Sequence, residues 1–190
     1  RRVGVRPQRR SQNDHARVRT GDLGLGKPCA IWQRGSYRMR ILVTGANGFV
    51  GRHLCPALQR ARARVHGTGE AGQDALPGLD GWSVMDLLDP AAVDRAFASH
   101  TPDAVIHLAG QSSAAVSFQR PAETYRVNAA GTWTVLDAIR RRAPRARVLV
   151  VGSGEVYGPQ AEGTRAGEDT PFRPVSPYAL SKAAADALSD

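Results

Sequence analysis

Tyr178 and Lys182 stand four residues apart in the stretch SPYALSK (176–182). On a helix that spacing puts both side chains on one face. A free phenol, with an ordinary pKa of about 10, is a poor proton donor or acceptor at neutral pH. An ammonium beside it favours the phenolate, so such a pair can pass a proton to or from a substrate oxygen. Lys182 is also unusual in this composition. It is one of two lysines among 26 Lys and Arg residues, and the only one after Lys27. The planar fork of an arginine does not replace a compact ammonium at such a place.

A second stretch, TGANGFVG (44–51), spaces Gly45, Gly48 and Gly51 as G-x-x-G-x-x-G directly after the apolar run RILVTG (40–45). In a strand-to-helix turn the first glycine allows the tight bend. The second lets backbone N–H groups approach a pyrophosphate, and the third lets helix and strand pack closely. The helix N-terminus then faces the phosphate charge. Gly45, Asn47, Gly48, Phe49, Val50 and Gly51 are therefore candidate dinucleotide-binding residues. An acid closing the second strand would favour NAD; Gly69 stands there, with Glu70 next to it. That leaves NAD and NADP both open. Asp86, followed by Leu87, is placed to receive an adenine amino group, or else to cap a helix or face solvent.

These residues need a scaffold that gathers them. From Met39 onward, strand-like and helix-like runs alternate. Strands are expected at 40–45, 63–68, 81–87, 104–110 and 147–153. Helices are expected at 49–61, where Pro56 should kink or shorten the helix, at 89–100, capped by Asp89 with Pro90 first, at 121–142, and from SPY (176–178) onward. The alternation indicates an α/β fold, a Rossmann-like doubly wound parallel sheet with right-handed crossovers. Strand C-terminal ends gather at one sheet edge, where ligands bind. Ser153, expected to end the strand 147–153, then converges with Tyr178 and the glycine loop on one crevice.

The net charge of +9 is unevenly distributed. Residues 1–38 hold ten Lys and Arg against two Asp and Glu, a balance of +8, so residues 39–190 carry only +1. The head is basic and lacks sustained periodicity. The preferred reading starts translation at Met39 and treats the head as a gene-model artefact. The alternatives are a disordered basic arm and an Arg-rich transit peptide, the last weakened by Asp14 and Asp22. A nucleic-acid partner is not expected, because the body's basic run RRRAPRAR (140–147) suits a helix C-terminus. No run approaches the roughly 18 apolar residues of a membrane helix. Cys29 and Cys55 make neither a metal-ligand spacing nor a disulfide framework, so no metal is expected and a cytoplasmic location is the default.

On these motifs the chain resembles the extended short-chain dehydrogenase/reductase family, the sugar-nucleotide epimerases and dehydratases. TGANGFVG, HLAGQSS, VNAAGT, GSGEVYG and SPYALSK stand in that family's order, and the resemblance covers nearly all of 39–190. DLLDP (86–90), PDAVIHLAGQSS (102–113), FQRPAETYRVNAAGT (118–132) and GSGEVYGP (152–159) look most like GDP-4-keto-6-deoxymannose reductases. GDP-mannose 4,6-dehydratases share much of this.

The resemblance implies transfer of a hydride from NADH or NADPH to the C4 ketone of a GDP-bound deoxyhexose, giving GDP-rhamnose. It implies that Tyr178 protonates the developing alkoxide, Ser153 hydrogen-bonds the ketone oxygen, and Lys182 tunes the tyrosine and binds the nicotinamide ribose. Leu108, Ala109 and Gly110 would line the cofactor and Asn128 would support the site. Gln111, Ser112 and Glu155 are candidate sugar contacts. Glu155 is ambiguous, since a dehydratase needs a carboxylate there and a reductase does not. Family members continue past the Tyr–Lys helix into a domain that grips the sugar. The sequence is thus expected to be truncated before that C-terminal substrate domain, inactive alone, and paired in the parent as a homodimer through helices 121–142 and 176–190. A non-catalytic dinucleotide-binding module is the alternative from another class; Ser153, Tyr178 and Lys182 speak against it, because binding alone needs no proton donor.

Overall fold

The structure, a computed structural model, describes residues 38–189. Residues 1–37 of the basic head, with their alternative readings, and Asp190 lie outside the described residues.

Five strands form one parallel sheet: β1 (Arg40–Thr44), β2 (Arg64–Gly69), β3 (Gly81–Val84), β4 (Ala104–His107) and β5 (Arg147–Val150). Their spatial order is β3-β2-β1-β4-β5. The winding runs outward from β1 in both directions, so the chain reverses between β1 and β4. A crevice opens at the C-terminal ends of those two strands, where such folds bind ligands. The register sets Thr44 beside His107 at that edge.

Alternate residues of β1 feed two cores. Leu42 joins Val93 and Phe97 of the helix α2 (Pro90–Ala98) and Val135 and Ile139 of α5 (Gly131–Arg142). Ile41 and Val43 join Val65 and Cys55 on the other face, under α1 (Phe49–Arg60). A strand buried on both faces reads as a continuous apolar run, as ILV does here. Burial pushes the Cys55 thiol up to about 11.

The helix starts follow the sequence signals. Asp89 caps α2, its Oδ1 accepting from the Ala91 N–H at 2.9 Å, with Pro90 first in the helix. Ser176 caps α6 (Pro177–Ala187), accepting from the Ala179 N–H at 3.0 Å. At the end of α5, Arg141 and Arg142 donate to Asp94 of α2 at 2.8 and 2.9 Å, and Arg140 and Arg141 to Asp137 at 2.9 Å. Two arginines of the basic run 140–147, Arg141 and Arg142, therefore tie α5 to α2.

Three expectations need correction. The helix α1 continues through Pro56 to Arg60 rather than stopping short. The carbonyl deprived of its donor, that of Arg52, belongs to an exposed residue that water can serve. The strands end earlier than their apolar runs, at Val84, His107 and Val150. The helix expected over 121–142 is three pieces: α4 (Pro121–Tyr125), a π-helical turn (Arg126–Ala130) and α5. An additional short helix, α3 (Ala114–Gln119), precedes them, capped by Ser113. Among the described residues no helix is long and apolar enough to cross a membrane.

Candidate functional site

A cavity of about 410 Å³ lies along the C-terminal edge of the sheet, running from the glycine loop to α6. Its glycine-loop end is shaped by backbone. Gly45 has φ +65°, a left-handed conformation, and a Cβ there would come within 2.9 Å of the Ala109 backbone. A Cβ on Gly51 would sit 2.3 Å from the Ala46 carbonyl oxygen. These two positions therefore permit the turn and the close seating of α1 on β1 that the spacing predicts. Gly48 caps α1 without a side-chain acceptor, so the first amides of the helix stay open to an anion. Asn47, Phe49 and Val50 line the same end.

Beneath the middle of the cavity runs a buried polar chain. The Thr132 hydroxyl donates to the Asn128 carbonyl at 2.6 Å, so its hydrogen is spent. His107 Nε2, 3.1 Å from Thr132 Oγ1, must then be the donor in that contact. That fixes the tautomer and leaves His107 Nδ1 as an acceptor, 2.7 Å from Thr44 Oγ1. Thr44 Oγ1 in turn accepts the N–H groups of Leu108 (3.2 Å) and Ala109 (3.1 Å). Burial, helped by the charge of Lys182, pulls the His107 pKa down to about 4, so the imidazole is neutral as the network requires. The threonines and the histidine thus hold the wall formed by Leu108, Ala109 and Gly110.

Asn128 sits in the π-helical turn and is buried. Its Oδ1 accepts the Gln111 N–H at 2.8 Å, and its Nδ2 donates to the Gln111 carbonyl and to Ser181 Oγ, each at 2.9 Å. The extra residue per turn of a π-helix displaces one side chain from the ordinary helical face. Here that side chain joins the loop after β4 to α6. The Gln111 side chain donates to Thr124 Oγ1 at 2.9 Å, and Gln111 and Ser112 both line the cavity.

At the far end, Tyr178 and Lys182 of α6 both line the cavity. Lys182 Nζ donates to the Val151 carbonyl at 2.6 Å. Burial lowers the Lys182 pKa from its ordinary value, against the opposing pull of Asp186. The Ser181 hydroxyl donates to the Tyr178 carbonyl at 2.7 Å, so α6 is fixed to Asn128 just behind the pair. The arrangement offers an ammonium and a phenol at one end of a crevice and a phosphate cradle at the other.

Three expected residues stand apart. Ser153 does not end β5; it lies three residues beyond Val150 and caps a 3₁₀ turn (Gly154–Tyr157), its Oγ accepting the Glu155 N–H at 3.2 Å. Its neighbours Val151 and Gly152 line the cavity instead. Glu155 is exposed in that turn. Asp86 is exposed and its Oδ1 accepts the Leu88 N–H at 2.8 Å, a local cap, while Met85 and Leu87 on either side line the cavity. Lining residues the motifs did not single out include Thr68, Gln73, Met85, Val151 and Gly152. Except for Gln73, these follow from applying the strand-end rule to β2, β3 and β5 as well as to β1 and β4.

Comparison with known proteins agrees with this geometry. Residues 41–190 match the model of the NAD dependent epimerase/dehydratase family. The GDP-6-deoxy-D-mannose reductase of Pseudomonas aeruginosa is 35% identical over 156 residues, 78% of this chain and 45% of the relative. The dTDP-glucose 4,6-dehydratase of Neisseria gonorrhoeae is 33% identical over 171 residues, 80% of this chain and 49% of the relative. Among solved structures, the Thermus thermophilus UDP-glucose 4-epimerase complex with NAD superposes with a TM-score of 0.72 at 35% identity, over 78% of this chain and 49% of that one. RMD from Pseudomonas aeruginosa complexed with NADPH gives a TM-score of 0.65 at 36% identity, over 79% of this chain and 48% of that one. The chain spans about half the length of these relatives. With its parallel sheet, its glycine loop and its Tyr–Lys helix, the chain belongs to the NAD-dependent epimerase/dehydratase family.

Proposed function

We propose that this chain carries the cofactor half of an NAD(P)-dependent oxidoreductase of nucleotide-sugars, and that the reaction is reduction of the C4 ketone of GDP-4-keto-6-deoxymannose to GDP-rhamnose. The observation that carries the reading is one continuous cavity from the glycine loop to Tyr178 and Lys182. The similarity to a GDP-6-deoxy-D-mannose reductase favours the substrate.

When bound, the nicotinamide supplies the hydride. Gly45, Gly48 and the open N-terminus of α1 take the pyrophosphate. Leu108, Ala109 and Gly110, held by Thr44, shape the wall on which the dinucleotide rests. Tyr178 gives a proton to the alkoxide oxygen as the ketone is reduced. Lys182, oriented by the Val151 carbonyl, holds the ribose and favours the phenolate afterwards. Ser153 orients the ketone oxygen once its hydroxyl turns from the Glu155 amide toward the cavity.

The test uses the protein with its substrate-binding half, given NADH or NADPH and GDP-4-keto-6-deoxymannose, with product followed by chromatography. Tyr178→Phe should lower kcat by about a hundredfold or more. Near-normal reduction by that variant would refute the mechanism. The exposed carboxylate of Glu155, one turn from Ser153, favours a second reading, a GDP-mannose 4,6-dehydratase. A keto-sugar formed from GDP-mannose would decide for it.

The same reading includes a homodimer in the cytoplasm. Trp133 of α5 and Leu180 of α6 are 52% and 53% exposed, which supports pairing through the helices of 121–142 and 176–190. Sedimentation as a monomer at all concentrations would exclude that pairing.

A further inference from the structure

A second cavity, of about 260 Å³, opens at the opposite edge of the sheet, where the strands begin. Arg40 and Arg64, the first residues of β1 and β2, stand in its wall with His66, and His100 and Thr101 close it from the turn after α2. None of these residues borders the cavity of the glycine loop. The register pairs His66 with Gly81 at the start of β3. A Cβ on Gly81 would meet both His66 Nδ1 and His100 Nε2, the latter at 2.9 Å. Glycine there keeps clear the space onto which the two ring nitrogens converge.

His66 is 3% exposed, and its Nδ1 is buried with no hydrogen-bond partner among the described residues. Its other ring nitrogen lies 2.9 Å from Ser83 Oγ. A buried polar atom left unpaired is costly, and one that faces a cavity calls for a group from outside the chain. The chemistry of the wall says which kind. Arg64 reaches the Asp80 carboxylate only at 3.9 Å, beyond hydrogen-bond distance, so its guanidinium keeps donors to spare. Asp80, also in the wall, is spent on the Val65 N–H at 2.8 Å. Arg40 is paired with Asp103 and donates to Thr101 Oγ1 at 2.7 Å, which leaves the Thr101 hydroxyl its own hydrogen to give. Thr101 is held at φ +29°, a strained conformation for a β-branched residue and of the kind that gathers at functional sites. Burial lowers the His100 pKa, and the charges of Arg64 and Arg40 lower it further, against the pull of Asp80. The rings therefore stand in a positive field. A metal ion fits that field poorly, and among the described residues no three His, Cys, Asp or Glu come together to hold one.

We propose that this cavity is a second ligand site, which takes a small oxyanion of the phosphate type between His66, His100 and Arg64. The Ser83 hydroxyl donates to His66 Nε2, so His66 Nδ1 carries the ring hydrogen and donates it to the anion. His100 presents a second ring N–H from the facing wall, and the Thr101 hydroxyl a third donor. Neutral imidazoles suffice, because each keeps one N–H without a charge. Arg64 supplies the charge from the rim, where its fork can take two oxygens at once. The site lies at the far edge of the sheet from the glycine loop, so it stands or falls apart from the proposed reaction.

The experiment is thermal melting of the chain in sodium phosphate against sodium chloride, at equal ionic strength and neutral pH, with the histidine ring resonances followed by NMR. Phosphate at about ten times its dissociation constant should raise the melting temperature by about 3–5 °C over chloride. The ring resonances of His66 and His100 should move as it binds, and those of His107 should stay. Arg64→Gln, at an exposed position, should weaken phosphate by about tenfold or more, and His100→Gln several-fold. Each increment is measured from the variant's own melting point in chloride, so a change in fold stability does not imitate lost binding. No stabilisation beyond that of chloride would overturn the site. A phosphate effect undiminished in both variants would also overturn it and move the anion elsewhere, the glycine loop first. Zinc moving the two ring resonances where phosphate does not would overturn it in favour of a metal.

Discussion

Asn128 grips both polar edges of one peptide residue: it accepts the N–H of Gln111 at 2.8 Å and donates to the carbonyl of Gln111 at 2.9 Å. The third valence of its amide goes to Ser181 of α6 at 2.9 Å. Alanine at 128 would strand these partners in a buried setting. A buried donor or acceptor left unpaired costs about 1–3 kcal/mol. Asn128→Ala should therefore lower stability by about 2–4 kcal/mol in urea denaturation, and loosen the Tyr–Lys helix. A variant within about 0.5 kcal/mol of the parent would show that the clamp is not a support.

Acid should weaken the fold through its buried neutral imidazoles. Burial lowers the His107 pKa to about 4 and, with a contribution from His100, the His66 pKa to about 4, from an ordinary 6.5. The unfolded chain then binds protons that the folded chain refuses. Stability is full above pH 6.5 and declines as pH falls from 6.5 toward 4. For His107 the loss at the foot of that window is on the order of 3 kcal/mol. Asp94, held near 2 by Arg141 and Arg142, titrates only below it. Equilibrium unfolding against pH should slope across 4 to 6.5, and His66→Asn should flatten the slope; a level profile there would contradict the buried neutral imidazoles.

Gly51→Ala tests the seating of α1. The new methyl would lie 2.3 Å from the Ala46 carbonyl oxygen, a backbone atom with no rotamer to escape through. Overpacking of this kind costs about 1–3 kcal/mol. Thermal melting should fall accordingly, and dinucleotide affinity should fall with it, because the same turn sets the amides of α1. Retained affinity would separate the loop from the cofactor.

Lys182 separates function from stability. Its ammonium is partly buried and donates to the Val151 carbonyl, and burial lowers its pKa. Lys182→Met removes a partly desolvated charge while keeping most of the volume. The melting temperature should stay level or rise, while NADH affinity drops by about tenfold or more. Lys182→Arg should also lose affinity, since the longer planar head cannot occupy the same point. Undiminished binding in both variants would remove Lys182 from the ribose.

Much of this site was legible because it depends on spacing. Gly45, Gly48 and Gly51 fix a turn whatever surrounds them, and Tyr178 and Lys182 share a face on any helix. What hydrophobic pattern conceals is the place where a strand stops. Leu108 and Ala109 are as apolar as the strand before them, yet the Leu108 amide is already shared between the Thr44 carbonyl and hydroxyl, and the Ala109 amide goes to the hydroxyl. The same overrun put Ser153 at a strand end, when it caps the turn beyond. The π-helical turn at 126–130 was invisible for another reason. One added residue barely disturbs helical periodicity over 121–142, but it decides where Asn128 points. Gln73 carries no pattern at all, since a polar residue in a loop is ordinary until its partners are known.

The strand β5 is the outermost of the sheet, and among the described residues nothing pairs with its far side. Val148, Leu149 and Val151 are 39%, 56% and 43% exposed along it. A flat apolar border with an unfilled row of amides and carbonyls invites any extended segment to add itself as another rung. Handled at high concentration, this polypeptide should associate through that border first, and a short peptide offered in excess should compete with the process by occupying it.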